Sequence, residues 1–490
     1  MQTKSSKYYG ENGVHRVPLW RIAGYALNNA STNMYLFLMN YVAYFLTGIV
    51  GAVVVTASSF SMGMRLWDAV TDPFIGFLVD KTNGKFGKNR PFMVIGNIIL
   101  LISSFILFFV TPKLPENTVI RFGFFIVISA IYYLGYTFQC VVTKSAQSCV
   151  TNDPKQRPLF GIFDGIYNTI LFTVFAIIAS NLGQKYGSFT NAAVFHDLWA
   201  MIAPLSFICM CIAVFCIAPK DRQEFYGTGK PVKISFKDYW DVLKNNHAIQ
   251  MLVISASTDK LAASTRTATV SIVMIGIVAG DYAINGALTG IITIPATILM
   301  MFGIGTLATR LGQKRAMAIG SWGGIVMNAL LACLWLFGDP TTLHNGAHGI
   351  NWGVFTICHV VGSIIMIGFT GITSSIVIPM TADCADYEVY RSGKYVPGLM
   401  GTLFSFVDKL ISSLAPMIAG IMFAAIGFTQ TLPDLNTPYS LSLKVVAIFL
   451  MYGIVIIGLI CNLIAMKFYP LTKEKMEEIQ DEIARIKTTV

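Results

Sequence analysis

Apolar stretches long enough to span a membrane alternate with short polar connections along almost the whole chain of 490 residues. A transmembrane helix needs roughly 20 mainly apolar residues, and the windows that reach this length predict about 12 transmembrane helices. Apolar residues make up 54% of the chain and charged residues only 12%, about half the charged fraction of typical soluble domains. The pattern therefore predicts an all-α polytopic membrane protein. The expected spans are 19–46, 52–79, 92–111, 121–148, 160–182, 198–218, 248–279, 283–307, 316–338, 352–380, 397–427 and 440–468.

Positive charges lie on alternate connections between these spans. The chain carries 35 Lys and Arg residues and a net charge of +10, and most of the bases lie at the two ends, in the central connection and in every second loop. The opposite side has Lys113, Arg121, Lys185 and Lys444. Because cytoplasmic loops are enriched in Lys and Arg, we expect a multi-pass plasma (inner) membrane protein with both termini in the cytoplasm. The basicity reflects topology, so no nucleic-acid partner is expected.

The longest hydrophilic connection divides the spans six and six. Within it, Phe236, Tyr239, Trp240 and Leu243 recur at helical spacing, which suggests an amphipathic helix on the membrane surface. A plain linker that joins the two bundles without chemistry is the favoured interpretation of this stretch. The charged tail is expected to form a solvated helix. The predicted organisation is an N-terminal six-helix bundle (1–218), a cytoplasmic central loop (219–247), a C-terminal six-helix bundle (248–468) and a cytoplasmic tail (469–490).

A loop pattern after the second span recurs after the eighth. The first copy is GFLVDKTNGKFGKNRP, from Gly76 to Pro91, and the second is GIGTLATRLGQKR, from Gly303 to Arg315. Matched positions in two sets of six spans indicate two pseudo-symmetric bundles, and the pattern resembles the loop signature of the major facilitator superfamily. Residues of these loops, with two acids after the tenth span, are candidates for cytoplasmic gates: Asp80, Lys81, Gly84, Arg90, Arg310, Arg315, Asp383 and Asp386.

The second span carries the most informative charges, because ionisable residues inside a membrane are costly and mark functional sites. In MRLWDAVTDP, Asp68 and Asp72 are four residues apart, so their carboxylates lie on one helix face about 6 Å apart along the axis. Two carboxylates this close need a cation, a shared proton or a base. Pro73 frees the carbonyl of Ala69, and Thr71 lies beside the acids, so the set predicts a hard-cation site. A structural network with a helix kink is the alternative.

These motifs make the chain resemble the glycoside–pentoside–hexuronide:cation symporter family. The resemblance is densest in RLWDAVTDP with GFLVDKTNGKFGKNRPF, and in PMTADCADYEVYRSGKYVPG followed by FSFVDKL. It implies a major facilitator fold in which Asp68 and Asp72 bind the coupling Na⁺, Li⁺ or H⁺. It also implies that Lys409 balances the charge of that site, and Arg65 matches the arginine before the first aspartate.

The chain departs from that family's pattern at three positions. Thr71 replaces an asparagine between the two carboxylates, which leaves the choice of Na⁺ or H⁺ open. The sugar-binding acids of the first and fourth helices align with Asn29 and with Val142 or a neighbour of it, so both acids are missing. A plain galactoside is therefore not implied, and the substrate site has been rebuilt.

Polar side chains on the first, fourth, fifth and seventh spans are the candidates for the rebuilt substrate site. Amides, hydroxyls and tyrosine suit the many donors and acceptors of a sugar, and the bases slightly favour a uronide-type anion. The same groups often join transmembrane helices to one another. His359 is expected to be packed in the interior. The candidates are Tyr25, Asn29, Asn33, Gln139, Thr143, Lys144, Asp164, Asn168, Asp259, Lys260 and Arg266.

Together, the motifs predict a secondary transporter that couples a cation gradient (Na⁺ or H⁺) to uptake of a sugar, glycoside or uronide by alternating access. A uniporter or a lipid carrier on the same fold is the nearest alternative, and a receptor or scaffold is a distant one. No phosphate loop, nucleophile elbow or metal cluster in the sequence indicates an enzyme. We expect a monomer in contact with membrane lipids, with no cofactor or metal beyond the coupling cation.

Overall fold

The computed structural model describes residues 16–82, 84–151, 156–222, 244–346, 348–392, 407 and 409–489. The chain forms two compact units, Met1–Lys230 and Pro231–Val490, and the boundary between them falls in the long hydrophilic connection. The amphipathic helix expected around Phe236 to Leu243 lies outside the described residues.

The described part of the N-terminal unit is built from six long helices. The first continues through a short helix, Val42–Phe45, and a π-helical turn, Leu46–Val50; the third continues through a similar π turn, Ile106–Val110. The six are α1 (Leu19–Met39), α2 (Val54–Lys81), α3 (Arg90–Phe105), α4 (Thr118–Ser145), α5 (Arg157–Tyr186) and α6 (Ala192–Ile217).

The C-terminal unit repeats this layout and adds a final helix. After α7 the chain continues through Ala268–Ser271 and Ile272–Val278, and α12 is preceded by Leu441–Ile448 and Phe449–Gly453. The helices are α7 (His247–Ser264), α8 (Ile284–Leu311), α9 (Gln313–Phe337), α10 (Val354–Ser392), α11 (Ala415–Ala425), α12 (Ile454–Phe468) and α13 (Lys473–Thr489).

The described helices agree with the predicted spans. Eight are long and apolar enough to cross a membrane, and the pair His247–Ser264 and Ala268–Val278, bent by 48°, provides a ninth span. Two shorter apolar helices, Ile284–Met300 and Lys409–Ala425, occupy predicted spans eight and eleven. The remaining predicted span is α2, whose charged residues lower its hydropathy.

Two predicted spans differ from the helices observed. α10 continues to Ser392, twelve residues beyond its expected end, because Ala, Asp and Glu after Pro379 are compatible with a helix that extends past the apolar core. The seventh predicted span is continuous, whereas the structure breaks it between Ser264 and Ala268. Thr267 caps the second part by accepting the amide of Val270.

The same helix contacts recur in the two units. α1 packs on α6, α3 on α4 and α6, and α2 on α4; correspondingly, α7 packs on α12, α9 on α10 and α12, and α8 on α10. Glycines allow the close crossings. A Cβ on Gly96 would lie 3.0 Å from the carbonyl oxygen of Gly135, and one on Gly320 would lie 3.0 Å from that of Phe369.

A buried asparagine joins the central helices of each unit. Asn97 of α3 donates to the hydroxyls of Ser31 and Ser206, which bond each other between α1 and α6. In the other unit, Ser255 of α7 donates to Asn462 of α12 over 2.8 Å. Such interhelical hydrogen bonds fix the register of helices that share an apolar environment.

The repeated loop motif has a shared structural cause. Gly87 and Gly312 both have left-handed φ angles, 87° and 83°, and each precedes the helix that follows the loop. A Cβ on Gly87 would collide with the carboxylate of Asp221, just after α6, and one on Gly312 would lie 2.9 Å from Cβ of Lys473, just after α12. Each loop therefore closes over the end of the last long apolar helix of its own unit.

Asp221 is the acceptor that holds the first of these loops. It is 1% exposed, and its carboxylate accepts the amides of Lys88, Asn89 and Arg90 at 2.9 to 3.2 Å. The side chain of Asn89 donates to the same carboxylate, and the Arg90 guanidinium lies 3.5 Å from it. A single acid thus caps the N-terminus of α3.

The expectation of a solvated tail is wrong. α13 forms as predicted, but Ile479 is fully buried and belongs to one apolar cluster with Met380 and Cys384 of α10, against which Met476 also packs. Lys475 lies over the ring of Tyr390 at 5.4 Å. The apolar residues of the tail helix share one face, and that face completes the core of the C-terminal unit.

Replacing Asp221 by alanine should lower the free energy of unfolding by about 3 kcal/mol, because three helix-start amides lose their buried acceptor. The matched control is Asp339→Ala, since Asp339 caps an exposed 3₁₀ turn through Thr341 and its loss should cost well under half as much. Thermal unfolding of the purified protein in detergent checks both variants. Equal losses would contradict the assignment.

Candidate functional site

The acidic face of α2 lies against α4. Asp68 is 2% exposed, and its carboxylate accepts a hydrogen bond of 2.6 Å from the hydroxyl of Thr137 on α4. Thr71, also buried, donates its own hydroxyl proton to the Asp68 carbonyl over 3.2 Å. Because that proton is committed to the backbone, the lone pairs of the Thr71 hydroxyl can accept a cation.

Asp72 lies one helical turn beyond Asp68 and is half-buried. The two carboxylates therefore share the face that the sequence predicts, one deep and the other partly accessible. α2 continues unbroken past Pro73 to Lys81. The side chains of Ala69 and Pro73 lie outside the described part of the chain, so a cation contact at the Ala69 carbonyl stays a prediction.

The two bases assigned to charge balance belong to different units. Arg65 is half-buried one turn before Asp68. Lys409 is half-buried in the C-terminal unit, at the start of the apolar helix Lys409–Ala425. Its role opposite the carboxylates stays a prediction.

A polar ladder joins α1 to α5. The Asn29 amide donates to the Asp164 carboxylate over 2.5 Å, and the Asn33 amide donates to Asn168 over 2.7 Å. The two rungs are four residues apart on both helices, so they stack along one seam. All four residues are half-buried. The ladder therefore combines polar groups held by hydrogen bonds with partial accessibility.

Three other substrate candidates are used in helix packing. Tyr25 is 1% exposed, and its hydroxyl lies 2.9 Å and 3.0 Å from the carbonyls of Val142 and Thr143. The hydroxyl of Thr143 accepts a hydrogen bond from Asn28. Gln139 is fully buried and donates to a backbone carbonyl of α3. These contacts hold α1 and α3 to α4. The three residues therefore join helices to one another, which is the other role that the sequence allowed for them.

The three charged candidates of the seventh span differ in burial and in hydrogen-bond partners. Asp259 is 7% exposed and accepts a hydrogen bond of 2.8 Å from Thr373 on α10, whereas Lys260 is exposed. The Arg266 guanidinium, at the break after α7, donates to the carbonyl of Met451 and to Asn328. Arg266 thus holds the broken helix to its neighbours. The side chain of Lys144 lies outside the described residues.

The gate candidates are divided between the two units. Arg90 lies beside Asp221, and Gly84 forms a backbone bridge with Gly87. The carbonyl of Arg310 accepts from Lys473. The remaining gate candidates are Lys81 at the exposed end of α2, Asp383 bonded to Gln313, Arg315 at 3.9 Å from Glu474, half-buried Asp386, and Asp80, whose side chain is outside the description.

His359 is packed in the interior, as expected from the sequence. It is 6% exposed, its Nδ1 lies 3.2 Å from the Trp335 indole nitrogen, and the two rings pack edge to face. Because Nδ1 accepts the indole proton, the histidine is held in one tautomer.

Sequence reasoning missed Thr137 and Asp221. Thr137 lies on a different face of α4 from the candidates Gln139 and Thr143, which are themselves four residues apart, so their spacing does not single it out. The signal that could have found it is a second series, Ser129, Tyr133 and Thr137, which repeats every four residues and places all three side chains on one stripe of α4. Asp221 gave no comparable signal, since it is one acid among the bases that follow α6.

Two helical units with the same internal packing, and with paired carboxylates and a polar ladder inside one of them, define a secondary transporter of the major facilitator type. A family profile described as MFS/sugar transport protein matches residues 25–473. The chain therefore belongs to the MFS/sugar transport protein family.

Curated relatives span nearly the whole chain. It is 25% identical over 480 residues to the "Glucuronide carrier protein homolog" of Escherichia coli (strain K12), covering 95% of each chain. It is 22% identical over 475 residues to the "Isoprimeverose transporter" of Lactiplantibacillus pentosus, covering 95% of this chain and 91% of that one. Among solved structures, the nucleoside transporter NupG is similar with a TM-score of 0.59 at 14% identity, covering 92% of this chain and 100% of that one, which shows the fold alone.

Replacing Thr137 by valine should tighten proton binding at Asp68 about tenfold, because the hydroxyl stabilises the charged carboxylate by roughly 1.5 kcal/mol or more. It should weaken Na⁺ binding, because the carboxylate loses the contact that holds it in place. Thr47→Val is the matched control, since Thr47 is a buried threonine of the same unit whose hydroxyl bonds carbonyls of its own helical segment. Titration of Na⁺ and of protons against the purified protein measures the affinities. An unchanged affinity in Thr137→Val would contradict a role for this hydroxyl at the cation site.

Proposed function

We propose that this protein is a symporter that uses a Na⁺ or H⁺ gradient to carry a sugar-type solute into the cytoplasm. The observation that carries the proposal is the pair Asp68 and Asp72 on one face of α2, with hydroxyl oxygens of Thr71 and Thr137 beside the deeper acid. Membership of a sugar transport family supports the class of solute.

The two carboxylates supply a physical reason for cation binding. At about 6 Å and an effective dielectric constant of about 20, two like charges repel by roughly 3 kcal/mol. A cation that settles beside both acids removes this repulsion and takes oxygen ligands that Na⁺ favours. A proton shared by the pair would do the same electrostatic work. The same pair of carboxylates would therefore serve either ion, and titration with Na⁺ and with protons distinguishes the two.

α4 offers a route by which the cation site and the sugar site influence each other. Thr137 of α4 bonds Asp68, and six residues further along the same helix Thr143 bonds Asn28 of α1. Asn29, the next residue of α1, forms the first rung of the ladder by donating to Asp164 of α5. A shift of α4 on cation binding would therefore move the helix that presents the ladder. Because coupling is reciprocal, substrate should tighten cation binding by the same factor.

The ladder favours a solute recognised through hydroxyl groups. Asp164 accepts hydrogen bonds, and the amides of Asn29, Asn33 and Asn168 both donate and accept, which suits a polyol ring. Arg266, one of the bases that favoured an anionic solute, is held by protein acceptors. We therefore propose a neutral glycoside before a uronide, although the relative named as a glucuronide carrier homolog keeps a uronide as the second candidate.

The available driving force is sufficient. One elementary charge moving through 100 mV gains about 2.3 kcal/mol, which corresponds to roughly fifty-fold accumulation. The basic loops support a plasma (inner) membrane location with both termini in the cytoplasm. In that orientation the membrane potential drives the coupling cation into the cell. A uniporter on the same fold would equilibrate its solute, and the paired acids of α2 would then have no coupling role.

Asp72→Asn should abolish accumulation of the solute while sparing exchange across the membrane, because an amide removes the charge that the cation neutralises but keeps the shape of the side chain. Asp197→Asn is the control, since Asp197 is a half-buried acid paired with Lys185 and Tyr186. Uptake into proteoliposomes under imposed Na⁺ and pH gradients is the measurement. Uptake by the unmodified protein that only equilibrates the solute and depends on neither gradient would establish the uniporter instead.

Asp164→Asn should raise KM for a neutral glycoside about tenfold or more, because a charged acceptor of a sugar hydroxyl becomes neutral. The amide can still accept from Asn29, so the ladder is preserved. For a uronide the sign reverses, because removal of a negative charge would lower KM. Thr169→Ala on the same helix, whose hydroxyl bonds the Gly165 carbonyl, should leave KM unchanged, and uptake kinetics distinguish the cases.

A further inference from the structure

A basic cavity lies where α9 begins and α12 ends. It has a volume of about 390 Å³, and four of its lining residues carry positive side chains: Lys314, Arg315, Lys467 and Lys473. Within the part of the chain that the structure describes, none of the lining residues is acidic. Like charges gathered around one cavity favour an anionic occupant.

The polar contacts of these bases are made to backbone carbonyls and to one exposed carboxylate. Lys314 donates to the carbonyl of Tyr469 over 2.6 Å, and Lys473 lies 3.5 Å from a backbone carbonyl at the end of α8. A carbonyl accepts a hydrogen bond but carries no net charge. Arg315 lies 3.9 Å from Glu474, but both side chains are about two-thirds exposed, and such a pair contributes little.

The corresponding place in the N-terminal unit already contains an anion. There the carboxylate of Asp221 caps α3 and lies beside Arg90. Gly312 occupies the cap position of α9 and has no side chain to accept the first amides. Among the described carboxylates, Glu474 approaches the start of α9 at 3.9 Å from Arg315, but both side chains are about two-thirds exposed, so the start of this helix can bind a further anion.

The rest of the cavity surface is apolar and continues onto the outer face of the helices. Leu311, Leu463 and Met466 form its wall, and Ile464 and Trp322, on the outer faces of α12 and α9, are 56% and 61% exposed. A free inorganic anion would use only the bases. A phospholipid would use both surfaces, with its phosphate among the bases and an acyl chain along α9 and α12.

We propose that this cavity binds the headgroup of an anionic phospholipid such as phosphatidylglycerol. Lys467, Lys473 and Arg315 hold the phosphate, and the hydroxyl of Thr472, which also lines the cavity, meets the glycerol. Basic pockets between transmembrane helices bind anionic headgroups in this way. The lipid supplies to α9 the negative charge that Asp221 supplies to α3.

The test compares two triple variants of the full-length protein. The first is Arg315→Gln, Lys467→Gln and Lys473→Gln; the second, the control, is Arg16→Gln, Lys85→Gln and Lys244→Gln, which removes the same number of bases, all exposed and none lining the cavity. Both are reconstituted in membranes of phosphatidylcholine with phosphatidylglycerol, and retained lipids are identified by native mass spectrometry. Folding of each variant is checked by its thermal unfolding.

We expect the unmodified protein and the control to retain phosphatidylglycerol, and the cavity variant to retain at least tenfold less. Equal retention by the cavity variant, or retention of phosphatidylcholine alone, would overturn the proposal. A second arm measures stabilisation of the unmodified protein by inorganic phosphate and by phosphatidylglycerol. Stabilisation by the lipid alone supports the assignment, whereas equal stabilisation by free phosphate would overturn it.

Discussion

The fold depends on the cost of placing a carboxylate inside an apolar bundle. Each of three buried or half-buried acids meets that cost with a neutral donor from another helix: Thr137 for Asp68, Asn29 for Asp164 and Thr373 for Asp259. A neutral donor stabilises a carboxylate without cancelling its charge. The acids of the N-terminal unit therefore stay able to attract a cation or a sugar hydroxyl, and their partners determine which helices must move together.

The same requirement explains the irregular parts of the helices. The seventh span breaks beside Arg266, and this residue and Thr265 donate to the carbonyls of Met451 and Leu450, where the twelfth span has a π-helical turn. Backbone that leaves regular helical geometry inside a membrane must find other partners. Here the side chains at the break in one helix donate to the free carbonyls of the irregular turn in its neighbour. The two helices are therefore joined at this point.

Much of the architecture could be predicted from the sequence because apolar length and the positions of basic loops depend on local composition. Most helix limits, the loop repeat and the shared face of Asp68 and Asp72 follow from spacing along one segment, whereas the extension of α10 and the break after α7 do not. Partners on other helices could not be predicted in this way. Tyr25 and Gln139 offer the same kind of hydrogen-bonding groups as Asn29. Only the packing of the helices shows that Tyr25 and Gln139 are buried between helices, whereas Asn29 is partly accessible.

The docked tail has a consequence for the order in which the protein is made. Ile479 belongs to the same apolar cluster as Ile249 at the start of α7, so the first and last helices of the C-terminal unit share one core. Asp221, which closes the N-terminal unit, is synthesised before α7 begins. The C-terminal unit can complete its core only after α13 has left the ribosome. During translation one unit is therefore finished while the other still exposes apolar surface, and the second is the one that cellular quality control would meet unfinished.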